Sequence, residues 1–506
     1  MSISLQRGIA AAHARDPRTA AQWFRRALAE SPSNAAAEAW LGQALCALGE
    51  RLAGTRHLAK AGRAMLAAPS AQTPVRLVEI LSQLQQWGDV PAALDLARAA
   101  TAAYPDHARL QQLLAVACSQ LNDPRGAVAA GAEALRLAPG VPMLEVLQAS
   151  LEIDAGDLDA ARPRLDAVLA GPDDAAVRLR AHKELARLDD RQGRFDEAFD
   201  HLEAAGRAAH DVADLARHDR KLLPRLIAAN TGAYDAAALG RWTGKTGATR
   251  PAPVFLIGFL RSGTTLVQAV LSAHPQVFVA DEGNMLHDVL AEVQQRLAGP
   301  GSIATKLARL NLAQVEQLRA LYWSRARGRY GDSIDRPVFV DKFTMSSVDV
   351  AAINVLFPDA RIIYMLRDPR DVCLSGFQQL MVPTAATVHL LEWRSTAQLY
   401  AAVTDWWLHI RDTLTMPWLE LRYEDVVGDF QPSLTRLLDF IGLDWDAALL
   451  DFHVGARAAY ITSPSRSQVA RPLYRSSAGR WRGYARHFAA VDDLLSPLVE
   501  RLGYAP

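Results

Sequence analysis

Between Gly258 and Thr265 the chain reads Gly-Phe-Leu-Arg-Ser-Gly-Thr-Thr, two glycines separated by four residues and followed by hydroxyl side chains. At a strand-to-helix turn this spacing exposes backbone N–H groups and a helix N-terminus, which together cradle a phosphate. The nucleotide-hydrolysing version of such a loop carries Lys where this chain has Thr264, so Arg261 is the cation available to a doubly charged group. A second anion grip lies downstream. Arg367 ends the apolar run 361–367, and Ser375 follows eight residues later, about two turns along the next helix. Arginine at a strand end and serine on that helix can hold one phosphate from two sides. Arg261, Ser262, Gly263, Thr264 and Thr265 thus form one candidate anion site, and Arg367 with Ser375 a second. Gly240 to Thr246 (GRWTGKT) also looks like a phosphate loop, but it is one residue short and no β-branched strand precedes it. It reads as linker.

The string from Arg261 to Leu266, with Ala273-His274-Pro275 soon after, resembles the 5′-phosphosulfate loop of sulfotransferases that use 3′-phosphoadenosine 5′-phosphosulfate (PAPS). The likeness extends to bacterial tetratricopeptide-sulfotransferases and protein-tyrosine sulfotransferases, and covers about Pro253 to Tyr484 with several motifs in order. It implies PAPS as donor, 3′,5′-bisphosphate as product, a hydroxyl acceptor and no metal. It also implies roles for single residues. Arg367 and Ser375 match the pair that binds the 3′-phosphate. Glu282, 21 residues after Arg261, matches the general base, and its neighbour Asp281 is the rival carboxylate. Lys342, directly after the run 337–341, matches the catalytic lysine that stabilises charge on the bridging oxygen. Ser465 matches the serine that assists it, and Tyr423 matches a nucleotide contact. The segment from Thr462 to Trp481 resembles the loop that folds over the donor. Many relatives read Arg-Lys-Gly where this chain reads Tyr474-Arg475-Ser476, a departure from the motif whose arginine holds the 3′-phosphate. The resemblance carries Arg475 over as a nucleotide contact by position, and neither Arg475 nor Arg480 matches that motif in full. A protein or peptide tyrosine is the attractive acceptor, with a glycan, lipid or small metabolite as the other classes. Two competing readings are a P-loop nucleotide kinase or NTPase and a catalytically silent tetratricopeptide scaffold.

These residues need a frame to position them. The apolar runs 253–258, 337–341, 361–367 and 418–423 are rich in β-branched and aromatic residues, and a helix-like segment follows each. Strands alternating with helices predict a parallel sheet with its site at the carboxyl ends of the strands. The first half differs. Ala and Leu dominate it, and only three of the eleven tryptophans (Trp23, Trp40, Trp87) precede residue 230. Turn residues recur at Gly49, Gly88, Asn122-Asp123, Gly156 and Gly193. Prolines at 32, 69, 105, 139 and 172 are spaced 37, 36, 34 and 33 residues apart, close to the tetratricopeptide period. The pairs Ala92/Ala99, Ala127/Ala134, Ala160/Ala167 and Ala198/Ala205 are the expected points of close helix approach. Residues 1–228 are therefore expected to form an all-α tetratricopeptide solenoid, 229–250 a linker, and 251–506 a P-loop-type α/β domain. The solenoid offers a groove for a peptide or partner protein.

The chain has 506 residues, half of them hydrophobic and 22% charged, ample for buried cores. Lys plus Arg and Asp plus Glu both number 55, so no long-range basic field exists to attract nucleic acid or an acidic membrane. Cys46, Cys118 and Cys373 match neither a disulfide framework nor a zinc spacing. With no signal-like N-terminus and no apolar run of about 18 residues, the expectation is a cytoplasmic protein.

Overall fold

The computed structural model describes residues 2–505 apart from 248–249, 298, 459–468 and 470. These residues fall into two compact units. One holds the chain to Val168 together with Ser324–Asp332; the other holds Leu169–Trp323, Ser333–Ala456 and the described C-terminal segment. No described helix is long and apolar enough to cross a membrane.

The first unit is built of helical hairpins. The turns at Gly49, Gly88, Asn122, Gly156 and, beyond this unit, Gly193 all have φ between +59° and +92°. Glycine and asparagine tolerate that left-handed conformation best. Two residues after each turn a helix begins: Arg51–Ala67, Val90–Ala103, Pro124–Leu137, Leu158–Leu169 and Phe195–Ala209. Counted from those starts, the fourth and eleventh residues are buried in every case: Gly54/Ala61, Ala93/Ala100, Ala127/Ala134, Ala161/Val168 and Ala198/Ala205. Two of the expected pairs, Ala92/Ala99 and Ala160/Ala167, lie one position early and are not buried. The distance from the turn fixes the buried face, and a helix full of alanines does not reveal that register by composition alone.

The second unit contains a five-stranded sheet, ordered β2-β3-β1-β4-β5 and parallel throughout. The strands are β1 (Val254–Gly258), β2 (Val277–Asp281), β3 (Val338–Lys342), β4 (Arg361–Leu366) and β5 (Trp418–Arg422). Central β1 is wholly buried, and β4 is buried except for Arg361, as expected of strands covered on both faces. Edge strands β2 and β5 are half-buried. Aromatic rings fill the layers beside the sheet: Tyr364 of β4 stacks on Trp407 with centroids 4.0 Å apart. Residues 229–250 include the helix Ala236–Gly240, whose Leu239 is fully buried and accepts a hydrogen bond from Asn354.

The helical hairpin Ala175–Arg191 and Phe195–Ala209 belongs to this second unit. It packs on the helix Pro369–Gln378 through Phe199, whose ring lies 5.5 Å from Phe377 and 5.7 Å from Trp393. Compactness therefore divides the chain near Val168, whereas composition changes near Arg250. The two criteria measure different things: the hairpin keeps a repeat-like sequence while its apolar face meets the α/β fold.

Candidate active site

Strands β2 and β3 end in Asp281 and Lys342, Arg367 directly follows β4, and Arg261 lies in the turn after β1; the parallel order gathers these residues along one edge of the sheet. The turn after β1 carries Arg261 and Gly263 and opens into the helix Thr264–Ala273. Gly263 has φ of +106°, and a Cβ there would sit 2.6 Å from the ring of Tyr423, so only glycine fits. The Ser262 hydroxyl is buried and has no hydrogen-bond partner among the described residues. Five non-glycine residues among those described have positive φ, and Arg261, Glu282 and Asn284 at this edge are three of them. Backbone held in that sparse region needs surrounding structure to maintain it, a pattern that clusters at functional sites.

Two groups form on either side of the phosphate loop. On the β4 side, the Arg261 Nε donates to the Ser375 hydroxyl at 3.1 Å, and the Arg367 Nη1 donates to the Arg261 carbonyl at 3.2 Å. The Arg367 guanidinium lies 4.6 Å from the centre of the Tyr423 ring, which fixes its plane. Its Nη2 donates to the Ser477 carbonyl at 2.5 Å, and its buried Nε has no partner among the described residues. Burial, reinforced by the charge of Arg367, pushes the Arg261 guanidinium down to about 10. Arg261 is still cationic at neutral pH, and the repulsion between two neighbouring guanidiniums favours an anion between them.

A cleft of about 490 Å³ opens from this pair. Its polar end is formed by Arg261, Gly263, Thr265 and Arg367, and its apolar walls by Leu266, Tyr423, Val427, Phe452 and Val469. Arg471, Pro472, Leu473, Tyr474 and Ser477 of the C-terminal segment complete it. Flat apolar walls beside paired guanidiniums suit a ring-bearing anion such as a nucleotide. The orphaned Ser262 hydroxyl and Arg367 Nε are donors of the kind such an anion would satisfy.

On the β2–β3 side, the register pairs Asp281 with Lys342, and the Glu282 N–H donates to the Lys342 carbonyl at 2.9 Å. The Lys342 ammonium is 1% exposed and donates to Glu282 at 2.9 Å and to Asp281 at 3.1 Å. Burial by itself lowers its pKa, but the two carboxylates outweigh that effect and hold it above the usual lysine value. Glu282 has a side-chain exposure of 34% against 17% for Asp281, so it is the carboxylate that a diffusing molecule meets first. Strand alternation turns Asp341 away from this group, and the Tyr322 hydroxyl donates to it at 2.7 Å.

The remaining predicted residues are placed as follows. Thr264 contacts Thr344 hydroxyl to hydroxyl at 3.2 Å and does not line the cleft. Arg475 donates to the carbonyls of Val427 and Gly428 and pins the C-terminal segment; Arg480 lies instead beside Arg367 and Ser375 in a smaller adjoining cavity. His274 accepts from the Gln276 N–H within its turn at 3.2 Å and reaches the distant Asp444 carbonyl with its other ring nitrogen at 3.2 Å. Ser465 lies outside the described residues. Lys245 of the short loop at 240–246 donates to the Arg241 carbonyl of the same turn. Sequence reading missed Phe452 and Leu473 in the cleft and Asp371, which accepts from the N–H groups of Gly479 and Trp481. Phe452 and Leu473 reach the site only through long-range folding of the chain, whereas Asp371 lies on the helix after β4 and gains its role from the C-terminal N–H groups that it accepts.

Residues 253–447 match the model of the Sulfotransferase family. The chain carries a sulfotransferase domain. Residues 84–142 match a tetratricopeptide repeat model, so tetratricopeptide repeats precede that domain. Protein-tyrosine sulfotransferase A of Caenorhabditis elegans is 24% identical over 271 residues, spanning 51% of this chain and 69% of that protein. An uncharacterized protein of Aquifex aeolicus (strain VF5) is 26% identical over 328 residues, spanning 63% of this chain but 41% of that one. Among solved structures, the sulfotransferase domain from the Synechococcus PCC 7002 olefin synthase aligns with a TM-score of 0.31 at 21% identity, covering 47% of this chain and 90% of that domain.

Proposed function

We propose that the sulfotransferase domain moves the sulfuryl group of PAPS to an acceptor hydroxyl, with a protein or peptide tyrosine as the acceptor class. The observation that carries this reading is the pair of groups flanking the phosphate loop: two adjoining guanidiniums on one side and a lysine held charged by two carboxylates on the other. Bound PAPS would supply an activated sulfuryl group on a phosphate leaving group. Arg261, the loop N–H groups and Thr265 hold the anion next to the sulfur, and Arg367 with Ser375 holds the second phosphate. Lys342 carries the proton and the positive charge at the reacting end. Glu282, the more exposed carboxylate, takes the proton of the acceptor hydroxyl, and Asp281 keeps Lys342 charged throughout. The names of the curated relatives support a tyrosine acceptor. The repeat unit supports a protein partner: it has a groove lined by Trp40, Gln43, Met65, Arg76, Glu79 and Gln83. The cysteines are buried and free, which suits a reducing compartment such as the cytoplasm.

The test is transfer of label from ³⁵S-PAPS to tyrosine-containing peptides, with aliphatic alcohols and glycans in parallel. Label in the peptide, lost in Arg261→Ala and Arg367→Ala, is the expected result. If the wild type labels no hydroxyl acceptor but hydrolyses ATP with Mg²⁺, the kinase or NTPase reading replaces this one.

A further inference from the structure

Asp190 stands near the end of the helix Ala175–Arg191, in the hairpin whose sequence belongs to the repeats. No phosphate-loop or catalytic motif includes it. Yet its carboxylate is only 14% exposed and gathers donors from three places. The Arg480 Nη2 donates to its two oxygens at 2.6 and 2.5 Å, the Tyr484 hydroxyl at 2.7 Å, and the Gln378 amide at 3.2 Å. Gln378 ends the helix Pro369–Gln378, which also carries Ser375.

Arg480 is held from both sides. Its backbone is fixed by Asp371, which accepts from Gly479 and Trp481 on either side, and Gly479 has φ of +74°. Its side chain is fixed by Asp190. The result is a cavity of about 280 Å³ lined by Arg367, Ser375, Arg480, Gln378, Asp371 and Ser477 among others. Both bonds from Asp190 use Nη2, so the other N–H groups of the Arg480 fork are not engaged by it. The charges facing the cavity are two guanidiniums and the Asp371 carboxylate, which is occupied by backbone N–H groups.

We propose that Asp190 is a positioning residue for the donor's 3′-phosphate: the repeat-derived hairpin supplies the carboxylate that aims Arg480 into the cavity shared with Arg367 and Ser375. This inference rests on the PAPS reading above and deepens it, because it makes the last hairpin part of the donor site. A long, flexible arginine loses less freedom on binding phosphate when its fork is already held.

The experiment measures the dissociation constants of 3′-phosphoadenosine 5′-phosphate and of adenosine 5′-monophosphate, which differ by the 3′-phosphate. The full-length wild type is compared with Asp190→Ala, Asp190→Asn, Arg480→Ala and the Asp190→Ala/Arg480→Ala double variant. The expected result is a preference for the bisphosphate that falls about tenfold in Asp190→Ala and in Arg480→Ala, and no further in the double variant. Asp190→Asn preserves the packing, and a reduced preference there supports the charge-pair role even if the alanine variant folds poorly. A merely structural Asp190 would weaken both nucleotides alike and leave their ratio unchanged; that outcome, or no change at all, overturns the inference alone. If the wild type shows no preference for the bisphosphate, the donor reading fails and this inference fails with it.

Discussion

Asp281 and Glu282 are adjacent carboxylates on one lysine, yet their surroundings differ, and the proposed roles differ with them. Asp281 ends β2 in register with Lys342, whereas Glu282 stands one residue beyond the strand at φ of +48°, with more of its side chain open. Glu282→Ala is expected to retain bisphosphate binding and to lower turnover by about 10²–10⁴-fold, the usual range for removing a general base. Single-turnover kinetics beside calorimetry checks this, and full turnover in the variant would take Glu282 out of its role. A second residue tests burial. Lys183 is buried, donates to the Phe377 carbonyl, and is pushed by burial from 10.5 down to about 7. Between those two values the unfolded chain binds more protons than the folded one, so this residue makes stability rise as pH increases from about 7 to about 10. Lys183→Met is expected to lose that rise and to be the more stable form at pH 7, as read by urea denaturation at several pH values. An unchanged pH slope would show that the lysine is not desolvated as its placement requires.

The elements were legible in the sequence to different degrees. The phosphate loop and the strands β1, β3 and β4 follow from β-branched runs and glycine spacing, because strands covered on both faces are largely apolar, and the half-buried edge strand β5 follows from its Trp and Leu residues. Strand β2 was not singled out: it is a half-buried edge of five residues whose polar end reads as a turn. The five repeat turns were visible as glycine or asparagine, while the helix register was not, since alanine fills both buried and exposed positions. Nor could the sequence reveal that the hairpin Ala175–Arg191 and Phe195–Ala209 packs on the α/β fold, because an apolar helix face does not name its partner. Phe199 tests that packing. It is 3% exposed and touches Phe377, Trp393 and His487, so Phe199→Ala is expected to cost about 3–5 kcal/mol of stability. Denaturant unfolding followed by tryptophan fluorescence measures it, and a loss below about 1 kcal/mol would mean that the hairpin is only loosely attached.

At the scale of the molecule, the proposed donor site is local: in a chain without net charge, Arg261 and Arg367 stand just beyond the ends of neighbouring strands, and a C-terminal segment completes the cleft beside them. The missing P-loop lysine and the second arginine grip argue for an adenosine bisphosphate over a nucleoside triphosphate. The most direct measurement is calorimetric titration of the full chain with 3′-phosphoadenosine 5′-phosphate, with ATP and Mg²⁺ titrated in parallel. Micromolar or tighter binding of the bisphosphate, about 8 kcal/mol, with ATP at least about tenfold weaker, is the expected result. Tighter binding of ATP, or no binding of the bisphosphate, would contradict the donor site described here.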